Sequence, residues 1–193
     1  LVGSEMCIRD RYKNMNGLSN PNPTSYTYGG TVTLKALSRT GYIFGGWYTN
    51  SAFYGSPVTE ISATDTDNKT FYALWTANTY TVSFDANGGD VTPDSMTVTY
   101  NGNYSGLPTL TRTGYTFDGW YTSQTGGEKV TASTKVQITA DQTLYAHWTA
   151  GLVEYTVNHY QQNVENDGYS KADSETLNGT TGTDTKAAAK TYE

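Results

Sequence analysis

Residues 39–49 read RTGYIFGGWYT and residues 112–122 read RTGYTFDGWYT, identical at nine of eleven positions and 73 residues apart. YALWT at 72–76 returns as YAHWT at 145–149 with the same separation of 73. The pairs Trp47/Trp75 and Trp120/Trp148 are each 28 residues apart. Two matched blocks with one offset mark an internal repeat. Upstream, Tyr28-Gly-Gly answers Tyr100-Asn-Gly, and KNMNG at 13–17 answers DANGG at 85–89, both with a one-residue slip. The first repeat therefore runs over 12–77 and the second over 78–150. A third segment, 151–193, begins with Tyr155-Thr-Val, an echo of Tyr80-Thr-Val. Its Lys190-Thr191-Tyr192 stands where Arg112-Thr113-Gly114-Tyr115 would fall, so it reads as a divergent unit cut short.

The chain has 193 residues, with 34 Thr, 17 Tyr and 20 Gly. Thr and Tyr favour strands and Gly supplies turns, so a mainly β fold is expected, with a small α component at most. A net charge of −6 and a pI of 4.8 argue against nucleic acid and anionic membrane surfaces as partners. No run of about 18 apolar residues is present, so no membrane span is expected. The single Cys, Cys7, excludes disulfides within the chain and Cys-based metal sites. Residues 1–11, LVGSEMCIRDR, contain no Thr or Tyr and resemble translated adaptor read-through. They are read as a non-native leader that takes most of the first repeat's opening strand. The missing secretory signal then carries no information on location.

The second repeat opens with alternation. Tyr80, Val82 and Phe84 share one face, and Thr81, Ser83 and Asp85 the other. Asn87-Gly88 is a hairpin signal, because both central positions of a type I′ turn need positive φ. Met96, Val98 and Tyr100 are in phase on a second strand, TGYTFDGWYTS is a third, and QTLYAHWT closes the unit. No helix is expected beyond at most one short turn near 103–107 or 131–136. The closing strand stays apolar at Phe71/Leu144, Ala73/Ala146 and Trp75/Trp148, while its other face exchanges Leu74 for His147. An unpaired buried polar group costs about 1–3 kcal/mol, so His147 belongs half-exposed. In the third strand Trp120 is out of phase with Tyr115 and Phe117. A bulge at Asp118-Gly119, and at Gly45-Gly46, would turn each Trp inward.

The pattern Phe84-x-x-Asn87-Gly88-Gly89, Tyr100-x-Gly102, Leu107-Pro108, Arg112-x-Gly114-Tyr115-x-Phe117-x-Gly119-Trp120-Tyr121, Tyr145-Ala146-x-Trp148 resembles the internalin-type B-repeat, also called the Listeria–Bacteroides repeat. The match spans the second repeat and most of the first. The resemblance implies tandem β-grasp-like modules of bacterial surface proteins. It also implies an extracellular chain at the cell surface or wall, with further modules elsewhere. Residues 151–193 are similar to the mucin-binding-type or related β-grasp repeats that accompany such units.

The candidate functional residues are aromatic. Tyr42, Phe44, Trp47, Trp75, Phe84, Tyr115, Phe117, Trp120 and Trp148 are expected to form structural cores. A unit of about 70 residues without disulfides needs its aromatics inside. Stacking on sugar rings is the competing role for the Trp side chains. Tyr48 and Tyr121 lie on the opposite face and are the candidate ligand contacts. Asp85-x-Asn87-x-Gly89-Asp90 departs from a calcium loop at its fifth and sixth places and reads as a turn. His159 with Glu154, Glu165 and Asp167 has no nucleophile and reads as a solvated strand. GTTGT at 179–183 lacks the Lys of a phosphate loop. Asn68-Lys-Thr, Asn103-Tyr-Ser and Asn178-Gly-Thr read as exposed loops. No catalytic set recurs between the units, so no enzyme, cofactor or metal is expected. The expected role is a stalk that presents adhesive domains. The alternative is a module that binds host glycan or protein, alongside contacts with neighbouring modules.

Overall fold

The computed structural model describes residues 7–191, with side chains described from Asp10 onward. Residues 1–6 of the leader, and Tyr192 of the closing Lys-Thr-Tyr, lie outside the described residues. In the first repeat the strands are β1 (Cys7–Arg9), β2 (Arg11–Lys13), β3 (Ser25–Thr27), β4 (Val32–Thr33), β5 (Tyr42–Tyr48), β6 (Glu60–Ile61) and β7 (Thr70–Ala77). The second repeat contributes β8 (Thr79–Asp85), β9 (Ser95–Thr99), β10 (Tyr115–Tyr121), β11 (Lys129–Val130) and β12 (Gln142–Ala150). β13 (Leu152–Gln162) and β14 (Tyr169–Thr180) follow.

The protein is mainly β, and the described residues contain no helix. The segments 103–107 and 131–136 are turns, not helical turns; Thr134 N–H donates to the Thr131 carbonyl at 3.0 Å. Both repeats share one sheet plan. β7 lies between β2 and β5, antiparallel to β5 and parallel to β2. β12 lies likewise between β8 and β10, within the order β11-β10-β12-β8-β9. Pairing the first and last strands in parallel forces the chain between them to cross over. A β-grasp has such a parallel pair, but no helix packs on it among the described residues.

The bulge falls where the sequence puts it. The register shifts between Phe117 and Gly119, and between Phe44 and Gly46. Gly119 and Gly46 have φ of 125° and 108°, a region that side chains disfavour. The extra residue restores phase, and Trp120 and Trp47 turn inward to 2% and 1% exposure. Asn87 and Gly88 both take positive φ, at 47° and 92°. They do not close a two-residue hairpin, because the chain continues to Asp94 before β9 begins; Phe84 N–H donates to the Asp94 carbonyl at 2.8 Å.

By contacts the described chain divides into two compact units. Of the described residues the first comprises 7–81, 97–103 and 135–141, and the second comprises 82–96, 104–134 and 142–191. In the first, Tyr26, Leu34, Leu37, Trp47, Ile61, Phe71 and Ala73 form one buried cluster. Tyr12 stacks on Phe71 at 5.4 Å and meets Trp47 edge-on at 5.2 Å. In the second, Phe84 and Trp120 lie 4.6 Å apart, with Val82, Leu144 and Ala146 also buried. β13 and β14 form one long antiparallel hairpin in this unit, exposed over most of its length.

Position 10 breaks the correspondence. The register Arg11↔Thr70 matches Ser83↔Thr143, which places Asp10 where the second repeat has the fully buried Val82. Asp10 is itself buried. Its Oδ1 accepts from the Lys69 N–H at 3.0 Å, and its Oδ2 is enclosed without a partner. Burial raises the carboxyl pKa, the Lys69 bond opposing it. A group whose folded pKa is raised stabilises the fold below its unfolded pKa of about 3.9 and loses that contribution as pH rises through the folded value. Asp10→Val should therefore stabilise the first repeat at neutral pH by about 1–3 kcal/mol and flatten this part of its pH dependence. Denaturant melts of both chains at pH 3 and pH 7 test this; an unchanged midpoint at pH 7 would refute the misfit.

Candidate functional site

The motif Arg-Thr-Gly-Tyr builds the same device twice. Tyr115 N–H donates to the Arg112 carbonyl at 3.0 Å, and Tyr42 N–H to the Arg39 carbonyl at 3.1 Å. The third residue of each turn, Gly114 or Gly41, takes φ of 79° or 75°. Only a residue without Cβ adopts that conformation freely. The turn folds the guanidinium back over the Tyr ring, with Arg112 Cζ at 3.9 Å from Tyr115 and Arg39 Cζ at 3.8 Å from Tyr42. Each Arg also stands 5.9 Å from a Trp ring, Trp148 or Trp75. Those indoles are held in place. Trp148 Nε1 donates to the Ala86 carbonyl, and Trp75 Nε1 to the Asn14 carbonyl, both at 2.9 Å. Phe117 and Phe44 each pack 5.3 Å from their Trp.

The nine aromatics expected in the core therefore divide. Trp47, Trp120 and Phe84 are buried. Tyr42, Phe44, Trp75, Tyr115, Phe117 and Trp148 are half-buried, and form a rim capped by the arginine at one end of each sheet. Tyr48 is not an exposed ligand contact. It is buried because Phe53 packs edge-on against it at 5.5 Å. The second repeat has Gly126 in the place of Phe53, and Tyr121 stays half-exposed, its ring stacked on His147 at 3.9 Å and 8°.

Around the second rim lies an open groove of about 510 Å³, lined by Asn87, Arg112, Asp118, Gln124, His147 and Trp148. Arg112 Nη1 donates to the Asn87 carbonyl at 3.3 Å. Asn87 Nδ2 donates to the Ala146 carbonyl at 3.1 Å, and Gln124 Nε2 to Asn87 Oδ1 at 3.4 Å. His147 Nε2 lies 2.9 Å from the Ser123 carbonyl, and Asp118 Oδ2 accepts from the Thr149 hydroxyl at 2.7 Å. Sequence reading placed Arg112 in the repeated motif and Asp118 at the bulge, but gave neither of them, nor Gln124, a place in a groove. The Arg was detectable from its recurrence in both repeats. Asp118 and Gln124 were not, because they stand where the repeats differ.

Elsewhere, His159 is buried and its Nε2 lies 2.8 Å from Glu175 Oε1, with Lys190 near the same acid at 3.7 Å. The structure thus brings it to a cross-strand partner, not to Glu154, Glu165 or Asp167. Asp85 Oδ1 accepts from the Asn87 N–H at 2.8 Å, closing a turn. Among the described residues no three metal-ligating side chains cluster. Asn68, Asn103 and Asn178 are exposed.

The family model of the Listeria-Bacteroides repeat domain matches residues 11–74 and 80–147. The chain belongs to this family. It is 36% identical over 132 residues to Internalin H of Listeria monocytogenes, covering 65% of this chain and 23% of that protein. It is 35% identical over 160 residues to the "Putative Gly-rich membrane protein" of Evansella cellulosilytica, covering 74% of this chain and 18% of that one. A "Putative membrane protein" of the same organism is 32% identical over 159 residues, covering 75% and 23%. The chain spans about a fifth of the length of these relatives. The first family match begins at Arg11, directly after the misfit Asp10.

The two Trp classes should separate experimentally. Trp120 is fully enclosed, and its Nε1 donates to the Pro108 carbonyl at 2.7 Å. Trp120→Ala should cost about 3–5 kcal/mol, and Tyr121→Ala, which loses a half-exposed stack, about 1 kcal/mol. Denaturant titration of the full chain measures both; equal losses would refute the facing assignment.

Proposed function

We propose that this repeat region is a non-enzymatic, extracellular part of a bacterial surface protein, a stalk that sets adhesive domains away from the cell wall. The observation that carries the reading is the duplicated frame. Each repeat spends its best-buried groups on holding itself together: an inward Trp bonded to a backbone carbonyl, Trp47 to Lys35 and Trp120 to Pro108, and an Arg-Tyr-Trp rim. Neither frame includes a nucleophile beside a base, and the polar groups around the rims change from one repeat to the next. A duplicated scaffold with variable surroundings suits a spacer, whose task depends on length and cohesion rather than on one reactive centre. Membership of the family of Internalin H, and likeness to proteins named as membrane proteins, support a place at the cell surface. Among the described residues no helix is long and apolar enough to cross a membrane.

The test is a display series. A reporter domain is fused to a wall anchor through none, one or both repeats, and its access to antibody-coated beads is measured on whole cells. Access should rise with each repeat. Equal access at every length would remove the stalk role.

A further inference from the structure

The groove on the second repeat is absent from the reading above, and the first repeat supplies its internal control. At matched positions Asn87, Asp118, Gln124 and His147 are replaced by Met15, Gly45, Ser51 and Leu74. The frame beneath is the same in both repeats: Arg over Tyr, Trp bonded to a carbonyl, Phe behind the Trp. In the first repeat Leu74 lies over the bulge so closely that a Cβ on Gly45 would stand 2.9 Å from its Cδ2. An Asp could not be accommodated there without moving Leu74. In the second repeat the flat His147 ring is drawn onto Tyr121 and tied to the Ser123 carbonyl, and Asp118 occupies the bulge. The fold itself does not require the polar set, since the first repeat forms without it.

We propose that this groove is a binding site for a neutral oligosaccharide. Its chemistry selects that class. The two formal charges, Arg112 and Asp118, oppose each other, so the groove does not favour a strongly charged ligand of either sign. Among the described residues Asp118 Oδ1 and Gln124 Oε1 accept no hydrogen bond and Arg112 Nη2 donates none. They offer acceptor, donor and acceptor within one open trough. Sugar hydroxyls both donate and accept, and so can satisfy such a mixed set. Hydrogen bonds to charged groups are the stronger kind, which makes Arg112 and Asp118 the principal contacts. Trp148, half-buried, lines the groove and adds apolar surface that can meet the C–H groups of a pyranose. The open shape accommodates a chain passing through rather than an enclosed monosaccharide. The polar partners are fixed beforehand: Asn87 by Ala146, Asp118 by Thr149 and His147 by Tyr121. Little ordering is left for binding to accomplish.

The experiment titrates the full chain with cellohexaose, maltohexaose and fully N-acetylated chitohexaose, with a hyaluronan oligosaccharide and an acidic peptide as charged comparisons, by calorimetry and amide shift mapping. Two variants restore the first repeat's residues: Gln124→Ser, on an exposed side chain, and Asp118→Gly. Denaturant midpoints establish that each is folded. At least one neutral hexasaccharide should bind with Kd below about 10 mM, shift the amides of Arg112, Asp118 and His147, and weaken about tenfold or more in each folded variant. No binding by any neutral sugar at that concentration, undiminished binding in both variants, or preference for the charged comparisons would overturn the proposal. The display series reads length alone, so either proposal can fail without the other.

Discussion

One tryptophan per repeat, Trp47 or Trp120, is the constraint on which the rest depends. It is the largest buried side chain of its unit, and its indole N–H needs an acceptor once water is gone. That acceptor is the carbonyl of Lys35 or Pro108, on the segment that crosses over between the parallel strands. The bond therefore ties the crossover to the sheet. The same Trp can face inward only because a glycine bulge inserts one residue ahead of it. Sheet phase, crossover position and core filling all meet at this side chain. A unit of this size, with no disulfide, has few alternative ways to bury comparable area.

The rim is built differently. Its aromatics are half-exposed, and the guanidinium of Arg39 or Arg112 completes their covering. Because the cover is a long polar side chain and not a packed core, neighbours can change without disturbing the Trp below. Leu74 and His147 occupy the same register position opposite the bulge, one packed on Gly45 and the other on Tyr121. The repeats thus keep one interior and carry two different surfaces at the bulge, with Leu74 and Gly45 in the first and His147 and Asp118 in the second. A surface protein assembled from such units can vary what each offers while its cohesion stays constant.

Polar substitutions on inward positions mark the limits of this tolerance. His159 sits two residues after Val157, where Phe84 follows Val82 in the second repeat, and its burial is made acceptable by Glu175 across the hairpin. Asp10 has no comparable partner. One oxygen takes a single backbone N–H and the other takes none. Both residues replace an apolar one, yet only the first is compensated, and the difference lies in what the facing strand provides.

The repeat, its strands, the bulges and the inward turn of Trp47 and Trp120 were legible in the sequence, because they rest on periodicity and on glycine, whose physics is local. The two aligned copies also exposed which face of the closing strand accepts exchange. The tertiary structure alone decided the parallel pairing of first and last strands, the covering of Tyr48 by Phe53, and the partnership of His159 with Glu175. It alone brought Asn87, Arg112, Asp118, Gln124 and His147 to one groove. These residues come from four separate segments, up to 60 positions apart. Their meeting depends on the crossover and the register, which no local pattern encodes; the sequence determined what each strand is, and packing determined what the strands place side by side.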